Sequence, residues 1–534
     1  MAGLKTASMA LSNTIGSRRN AAQLHALAGV EREVRARDSS GHRKYLRDFG
    51  QAFRSYETVI NAAELRRIVR SADIVLVGDY HALPQSQRYA AALLEQRTQP
   101  GDRPVVLGVE AIFSRHQHIL DEWWRREIDA EEFRHRLRFE TEWGYDWQPF
   151  LDLLVTAREH AEAIYGLDCM PREDLRKIGA RDRHAADKIA EIRARHPEAE
   201  IFVLFGESHL TPDHLPTQLA RRLPGERMVT VLQNVDALYW KATGERQEGI
   251  ETVRVNENTV CVFNSTPLEK YESYRLCLSR WRQQQRQPDI APTIFNLVDG
   301  LLRFLKIDRY SSHNTTQPKF LVDLLPEVYN GAAESQLPDL LARETSDMHE
   351  VESFRRKIDA QGTAYLPKSN VLYVGEFQMM FAAEEAARFL HQACRGLPTR
   401  HDRKPDGRAF SFDHRFRIQV LEHALAFCGS RILYPVRPSV RLEGGAEVSS
   451  ARVAKFMADA RRGLQKFESA TQCLGFVLGS ELYDAYVKGC VTPTALRHLY
   501  LAHIEQPTVA QTTFRELLRK LRASRKKPSG SVTC

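Results

Sequence analysis

The chain has 534 residues, of which 43% are apolar and 27% charged, and its formal net charge is +8. This is an ordinary globular composition, and the length suggests roughly two to four domains, or fewer if one is large. Acidic and basic residues are interleaved, so the modest positive charge gives no reason to expect a nucleic-acid partner. The eight cysteines are scattered without a C-x-x-C pair, which favours reduced thiols in a cytoplasmic protein.

Neither a membrane span nor a targeting signal is expected from the sequence. No apolar run is long enough to cross a bilayer, and the mean hydropathy of −0.42 agrees. The N-terminal stretch MAGLKTASMALSNTIGSRRN has no continuous apolar segment and no Leu-rich run ending in Cys, which argues against a secretion or lipoprotein signal. Residues 1–42 are polar and are interpreted as a flexible or helical leader.

Apolar runs alternate with helical patterns between residues 43 and 300. The runs predicted to form strands are Asp73–Val77, Pro104–Val109, Ala163–Asp168, Ile201–Phe205 and Met228–Leu232. Among the helices between them, one starts at Pro84, one is capped by Asp129, and a long one begins at Pro171. Such alternation is typical of βαβ units, so the predicted fold class is α/β with a mainly parallel sheet flanked by helices.

The pattern is less regular beyond about residue 300. Residues 301–434 are predicted to be a mixed helical region with one strand, VLYV at 371–374, and residues 435–534 a helical C-terminal domain. The expected organisation is therefore a leader, an α/β domain at 43–300, and a largely helical C-terminal extension.

Two of the predicted strands have similar endings. IVLVGDYH ends at His81 and FVLFGESH ends at His209; each apolar run closes on Gly, an acid, one further residue and His. Two further predicted strands end on acids, Glu110 and Asp168. In open parallel sheets ligands bind outside the carboxyl ends of the strands, so we expect these side chains to line one cleft.

The spacing of the acid and the histidine has a chemical meaning. Residues i and i+2 of a strand point to one face, so Asp79 is expected to project with His81. By the same rule Glu207 is expected to project with His209. A carboxylate raises the basicity of a neighbouring imidazole and fixes its tautomer, as a general base or a metal ligand requires. A Gly and an acid after a strand also commonly form a turn and a helix cap, so only the two motifs together with Glu110 favour a site.

Three further assignments depend on single residues or small sets. His81, Glu110 and His209 could hold a divalent metal ion with an open position, although no H-E-x-x-H spacing supports this. Arg181, on the predicted long helix, could clamp an acid across the cleft, bind a substrate carboxylate or form a surface ion pair. Ser208 is not favoured as a nucleophile because G-E-S-H lacks the final Gly of G-x-S-x-G.

A third strand end, VLYVGEFQ, shares the Gly and an acid with the other two. It carries Glu376, but Gln378 stands where the others have His. Because the amide of glutamine cannot act as a base, we interpret this copy as a structural strand end.

The motifs between about Ser55 and Trp240 resemble a known family, the ChaN-like haem-binding uptake proteins. This family belongs to a wider group with the Tiki and TraB proteins and the erythromycin esterases. The stretches that carry the resemblance are, in chain order, ADIVLVGDYHALPQSQ, VVLGVEAIF, YDWQPFLDLLVTAREHAEAIYGLD, GARDRHAADKI and FVLFGESHLTPDHLPTQL. They span a little over a third of the chain, and they are specific only as a series.

The resemblance implies non-covalent haem binding, with a tyrosine as the iron ligand, between the subunits of a homodimer. The hydrolase relatives imply instead that histidine and glutamate at the strand ends act as a general base or as metal ligands. Carried over residue by residue, the implied site comprises Asp79, His81, Glu110, Arg181, Glu207 and His209. No local motif marks the haem tyrosine; Tyr80, Tyr145 and Tyr165 lie near the motifs.

Two departures from the family pattern bear on function. Asp79 stands where the family usually has Glu, which shortens the carboxylate side chain by one methylene, and the lipoprotein signal typical of ChaN is not expected from the N-terminal stretch.

Two functions remain open. The first is the binding of haem or a related cofactor. The second is hydrolysis of an ester or peptide bond in a small-molecule substrate, with or without a divalent metal, in which His81 or His209 acts as a base toward water and Glu110 or Glu207 orients that water.

Overall fold

The computed structural model describes residues 15–38, 44–97, 103–169, 178–245, 251–283, 289–308, 325–395, 411–442 and 447–525. The chain forms two compact units. The sheet unit comprises Glu33–Thr243 and Glu248–Gln284, and the helical unit comprises Met1–Arg32, Gly244–Gln247 and Gln285–Cys534. None of the described helices is both long and apolar enough to cross a membrane.

A single large sheet lies at the centre of the sheet unit. Its strands are β1 Thr58–Val59, β2 Ile74–Asp79, β3 Val105–Phe113, β4 Ala163–Asp168, β5 Glu200–Gly206, β6 Met228–Gln233, β7 Thr252–Asn256 and β8 Thr259–Val262. Within the described residues their order is β1-β7-β8-β6-β2-β5-β3-β4. The strands from β8 to β4 run parallel, whereas β7 pairs antiparallel with β8 and with β1. The predicted α/β class is confirmed.

Helices cover both faces of this sheet, which is why β2 and β5 are buried along their whole length. The helices in or entering the sheet unit are α1 Ile15–Arg37, α2 Lys44–Ala52, α3 Ala62–Arg70, α4 Pro84–Arg97, α5 Gln117–Trp124, α6 Ala130–Leu137, α7 Phe139–Glu142, α8 Trp147–His160, α9 Ile178–Arg195, α10 Leu215–Arg222, α11 Asp236–Glu245 and α12 Pro267–Gln283. The predicted cap is present, since the carboxylate of Asp129 accepts a hydrogen bond from the backbone N–H of Glu132 at 2.8 Å. The predicted helix start at Pro171 lies outside the described residues.

One strand boundary matters for the site. The sequence predicts that β3 ends at Val109, but the strand continues to Phe113, with an irregularity in its pairing to β4 between these two residues. Glu110 therefore lies within β3 rather than beyond its end. The extension is possible because the apolar run resumes after Glu110 with Ile112 and Phe113, both buried.

The helical unit confirms the predicted helical C-terminal extension. It contains α13 Ala291–Leu305, α14 Leu337–Glu344, α15 Met348–Gln361, α16 Met379–Cys394, α17 Phe412–Leu433, α18 Ser450–Ala460, α19 Leu464–Val487, α20 Pro493–Tyr500 and α21 Pro507–Arg525. The predicted strand at 371–374 is β11 Val371–Val374, which pairs with β9 Glu327–Asn330 and β10 Thr363–Leu366. The prediction of one strand in residues 301–434 is therefore incomplete, because β9 and β10 also form there.

Candidate functional site

The pairing register brings the ends of β2 and β5 and the middle of β3 to one edge of the sheet. Asp79 at the end of β2 lies opposite Gly206 at the end of β5, and Val109 of β3 lies opposite Leu204 of β5. Because the strands are parallel, their carboxyl ends meet at this edge. The side chains that follow them therefore converge, as the strand-end argument predicts.

Two histidines face the same carboxylate. His81 Nε2 lies 3.7 Å from Glu110 Oε2, and His209 Nε2 lies 3.8 Å from Glu110 Oε1. The two imidazoles thus stand on either side of one buried glutamate. We call His81, Glu110 and His209 the central trio.

Glu110 is held by a fixed cation and a backbone amide. Its side chain is 3% exposed, and Oε2 accepts a hydrogen bond from the N–H of Gly206 at 2.5 Å. Arg181 donates to its other oxygen. Burial disfavours the charged carboxylate, but the charges of His81, Arg181 and His209 outweigh it and lower the pKa of Glu110 to about 2. Glu110 is therefore ionised at neutral pH.

Arg181 forms a buried clamp between two acids. Besides Glu110, its guanidinium binds both carboxylate oxygens of Asp168, at 3.0 and 2.9 Å. The side chain is 7% exposed. The sequence left three roles open for Arg181. The observed contacts are those of a clamp on acids across the cleft, and the side chain is buried, so a surface ion pair does not apply. Burial by itself would lower the pKa of Arg181, but the carboxylates of Glu110 and Asp168 outweigh burial and raise this pKa above its ordinary value.

Asp79 fixes the orientation of His81. The Oδ2 of Asp79 lies 2.8 Å from His81 Nδ1, and its other oxygen accepts a hydrogen bond from Gln87. An aspartate on Nδ1 leaves Nε2 directed at Glu110. Burial raises the pKa of Asp79, whereas for His81 the carboxylates of Glu110 and Asp79 outweigh burial and raise its pKa. The shorter side chain of Asp79 thus reaches its partner.

The second motif behaves differently from the first, and the expected projection of Glu207 with His209 is wrong. Residues Glu207–Leu210 form a 3₁₀ helix, so the extended conformation stops at Gly206 and the two side chains diverge. The carboxylate of Glu207 accepts a hydrogen bond from Lys270 at 2.9 Å. His209 finds its acid elsewhere, since its Nδ1 lies 2.5 Å from Asp182 Oδ1.

Several residues of this edge were missed by the sequence reasoning. His214 Nδ1 lies 2.9 Å from the second oxygen of Asp182, so one aspartate serves two imidazoles. Lys270 is 4% exposed and lies between Glu207 and the ring of Tyr80, with its Nζ 4.6 Å from the ring centre. No local motif marks Lys270, because PLEKYESYR has the composition of an ordinary solvated helix.

Aromatic side chains surround the outer part of His81. The ring centroid of Trp143 lies 4.5 Å from that of His81, and the centroid of Tyr145 lies 5.2 Å from it. The side chain of His81 is 20% exposed. Tyr165 lies apart from this group, and its hydroxyl is 2.9 Å from His196 Nε2. Of the tyrosines named from the sequence, Tyr145 therefore lies beside His81, whereas Tyr165 does not.

Within the part of the chain that the structure describes, no group of three or more His, Cys, Asp or Glu side chains is arranged to hold a metal ion. In the central trio, one carboxylate oxygen of Glu110 accepts a hydrogen bond from the guanidinium of Arg181 and the other from the amide of Gly206. The assignment of a metal to His81, Glu110 and His209 stays a prediction.

The third motif lies in the separate sheet of β11, where Gln378 Nε2 lies 3.5 Å from Glu376 Oε1.

Comparison with known proteins finds a family match for the segment that contains most of the residues at this edge of the sheet. Residues 65–202 match the model of a family described as haem-binding uptake, Tiki superfamily, ChaN. A solved structure described as cofacial heme binding to ChaN of Campylobacter jejuni is 15% identical, over 33% of this chain and 86% of that chain, with a TM-score of 0.27. At that score the superposition carries no argument. No curated protein matches the sequence. The match to this family model over residues 65–202 falls within the stretch whose series of motifs resembles the same family.

Proposed function

We propose that the strand-end site binds haem and that Tyr145 is the iron ligand. The observation that carries the proposal is the position of Tyr145, whose ring lies 5.2 Å from the imidazole of His81 at the partly exposed side of the central trio. The matched family model, described as haem-binding, supports the choice of ligand. Tyr145 lies within the matched segment.

The other two tyrosines fit this role less well. The ring of Tyr80 is covered by the ammonium group of Lys270, and the hydroxyl of Tyr165 is hydrogen-bonded to His196. A phenolate oxygen is a known axial ligand of haem iron. Burial raises the pKa of Tyr145, so its phenol is neutral in the absence of a strong Lewis acid such as ferric iron. Of these three tyrosines, Tyr145 is the one whose ring lies beside the partly exposed imidazole of His81.

The first test is the replacement of Tyr145 with Phe, which removes the oxygen and keeps the ring. We expect haem binding, followed by the Soret band, to weaken at least about tenfold. Tyr165→Phe is the matched control, and its affinity should stay within about twofold of the original protein. Equal affinities of the two variants would contradict Tyr145 as the ligand.

The resemblance to a family with paired subunits adds a proposal about assembly. If haem is held between two copies, then its addition should convert monomer to dimer, or stabilise an existing dimer against dilution. Light scattering at several protein concentrations, with and without haem, measures this. A monomer that binds haem without any change of mass would contradict the shared site.

A second function, hydrolysis of an ester or peptide bond, is favoured by a separate observation. In both histidines of the central trio an aspartate binds Nδ1 while Nε2 faces Glu110. This arrangement would let one imidazole accept a proton from a water molecule that Glu110 orients. Glu207 cannot share this task in the observed geometry, because its carboxylate is paired with Lys270.

A panel of activated esters and short peptides, with and without divalent metal, tests hydrolysis. We expect any turnover to fall at least ~100-fold when His81 and His209 are both replaced with Ala, because general acid–base catalysis contributes on that order. His118→Ala, at an exposed position, is the control. Turnover that survives the double replacement would exclude this mechanism.

A further inference from the structure

One face of α12 packs beside the strand-end site, although α12 lies outside residues 65–202, which match the family model. Lys270, Tyr274, Cys277 and Trp281 are spaced four, three and four residues apart, so they share one face of the helix. Lys270 contacts Glu207 and the ring of Tyr80, and Tyr274 packs against Tyr80 with centroids 6.3 Å apart. The matched family model does not account for this helix.

Trp281 is the outermost member of this face and is anchored by its edge. Its indole N–H donates to the carbonyl oxygen of Gly144 at 2.7 Å. Gly144 has φ +78°, a conformation that side chains rarely adopt, and a Cβ there would lie 3.2 Å from the indole nitrogen. The backbone at Gly144 is thus shaped to hold the edge of this ring.

The anchored indole remains 41% exposed. Among the described residues the exposed large apolar side chains are Leu46, Trp281, Met348 and Leu464, so Trp281 is the aromatic one. A tryptophan fixed along its edge, with surface left open to solvent, offers a rigid stacking surface at little entropic cost.

Trp281 is connected to the central trio through one ring. Its centroid lies 5.2 Å from that of Tyr145, which in turn lies 5.2 Å from that of His81. Tyr145 crosses Trp281 at 76°, so the two rings meet edge to face. The exposed indole therefore lies directly beside Tyr145.

We infer that Trp281 is a stacking platform for a planar conjugated ligand, of the chemical class of a tetrapyrrole, at the mouth of the strand-end site. The inference rests on the proposed function for the choice of ligand, but it does not need an iron–tyrosine bond. Stacking recognises the flat macrocycle whether or not it carries a metal. Trp281 and Tyr145 would thus contribute separately, one through the ring system and the other through the iron.

The experiment compares two probes, haem and iron-free protoporphyrin IX, with the full chain. Trp281→Ala should weaken the binding of both probes by roughly 3- to 10-fold, as expected for the loss of one aromatic contact. Trp281→Phe should restore most of the affinity. Gly144→Ala, which disturbs the anchor and keeps the indole, should show the same loss to a smaller degree.

Trp240→Phe is the matched control for loss of an indole elsewhere in the sheet unit, and thermal unfolding of each variant verifies the fold. If Trp281→Ala binds both probes as well as the original protein while Tyr145→Phe loses haem, the platform is overturned and the proposed function stands. If protoporphyrin binds in a manner that depends on Trp281 but haem binds no tighter and its spectrum does not depend on Tyr145, the platform stands and tyrosine-ligated haem binding is overturned.

Discussion

Replacing Arg181 with Met is expected to lower the free energy of unfolding by about 3–5 kcal/mol, the cost of leaving buried charges without their partner. Arg181 is paired with both Glu110 and Asp168, whose side chains are 3% and 0% exposed. Water cannot replace the guanidinium at such depth. Urea unfolding followed by circular dichroism measures the change.

The matched control is Arg222→Met. Arg222 pairs with Asp187 on the protein surface, where the aspartate side chain is 59% exposed, so the loss should stay within about 1 kcal/mol. Adding Glu110→Gln and Asp168→Asn to Arg181→Met should recover part of the stability, because the two acids are then uncharged. A loss of less than about 1 kcal/mol for Arg181→Met alone would mean that these acids do not depend on Arg181.

Gly206→Ala is expected to weaken ligand binding or slow turnover at the strand-end site. A Cβ at this position would lie 3.0 Å from Glu110 Oε2 and 3.1 Å from His81 Nε2. It would therefore crowd both the carboxylate of Glu110 and the imidazole of His81 and push them out of the observed arrangement. We expect affinity or rate to fall at least about tenfold, equivalent to ~1.4 kcal/mol.

Two alanine variants separate this effect from general damage. Gly78→Ala lies on the neighbouring strand, where the new Cβ would meet Glu207 Cβ at 3.4 Å, an ordinary contact, and Gly225→Ala meets nothing within 4 Å. Both should keep their function. Thermal unfolding should show that Gly206→Ala still folds, since overpacking at one site costs about 1–3 kcal/mol. A fully functional Gly206→Ala protein would show that function does not need the observed arrangement of Glu110 and His81.

Much of the site could be predicted from the sequence because it depends on strand periodicity. The runs that end at Asp79 and Gly206 are continuous and apolar, as strands buried on both faces require, and parallel strands present their ends at one edge. The approach of His81 and Glu110 follows from this logic. Even so, the two-residue spacing brought the acid and the histidine together only at Asp79 and His81.

The remaining contacts could not be read from the chain because their partners are distant in sequence. His209 pairs with Asp182 on α9, and Glu207 pairs with Lys270 on α12, once a short 3₁₀ turn has separated the two side chains. No local pattern records which helix will pack over a strand end.

The sequence alone therefore determines the parallel sheet, the edge at which its chemistry lies and the acids and imidazoles brought there, since these follow from periodicity and residue type. The tertiary structure decided which acid serves which histidine, that Arg181 is buried between two carboxylates, and that Trp281 lies beside Tyr145. The physical reason is that strand order, helix packing and burial set these distances, and all three arise only when remote segments meet.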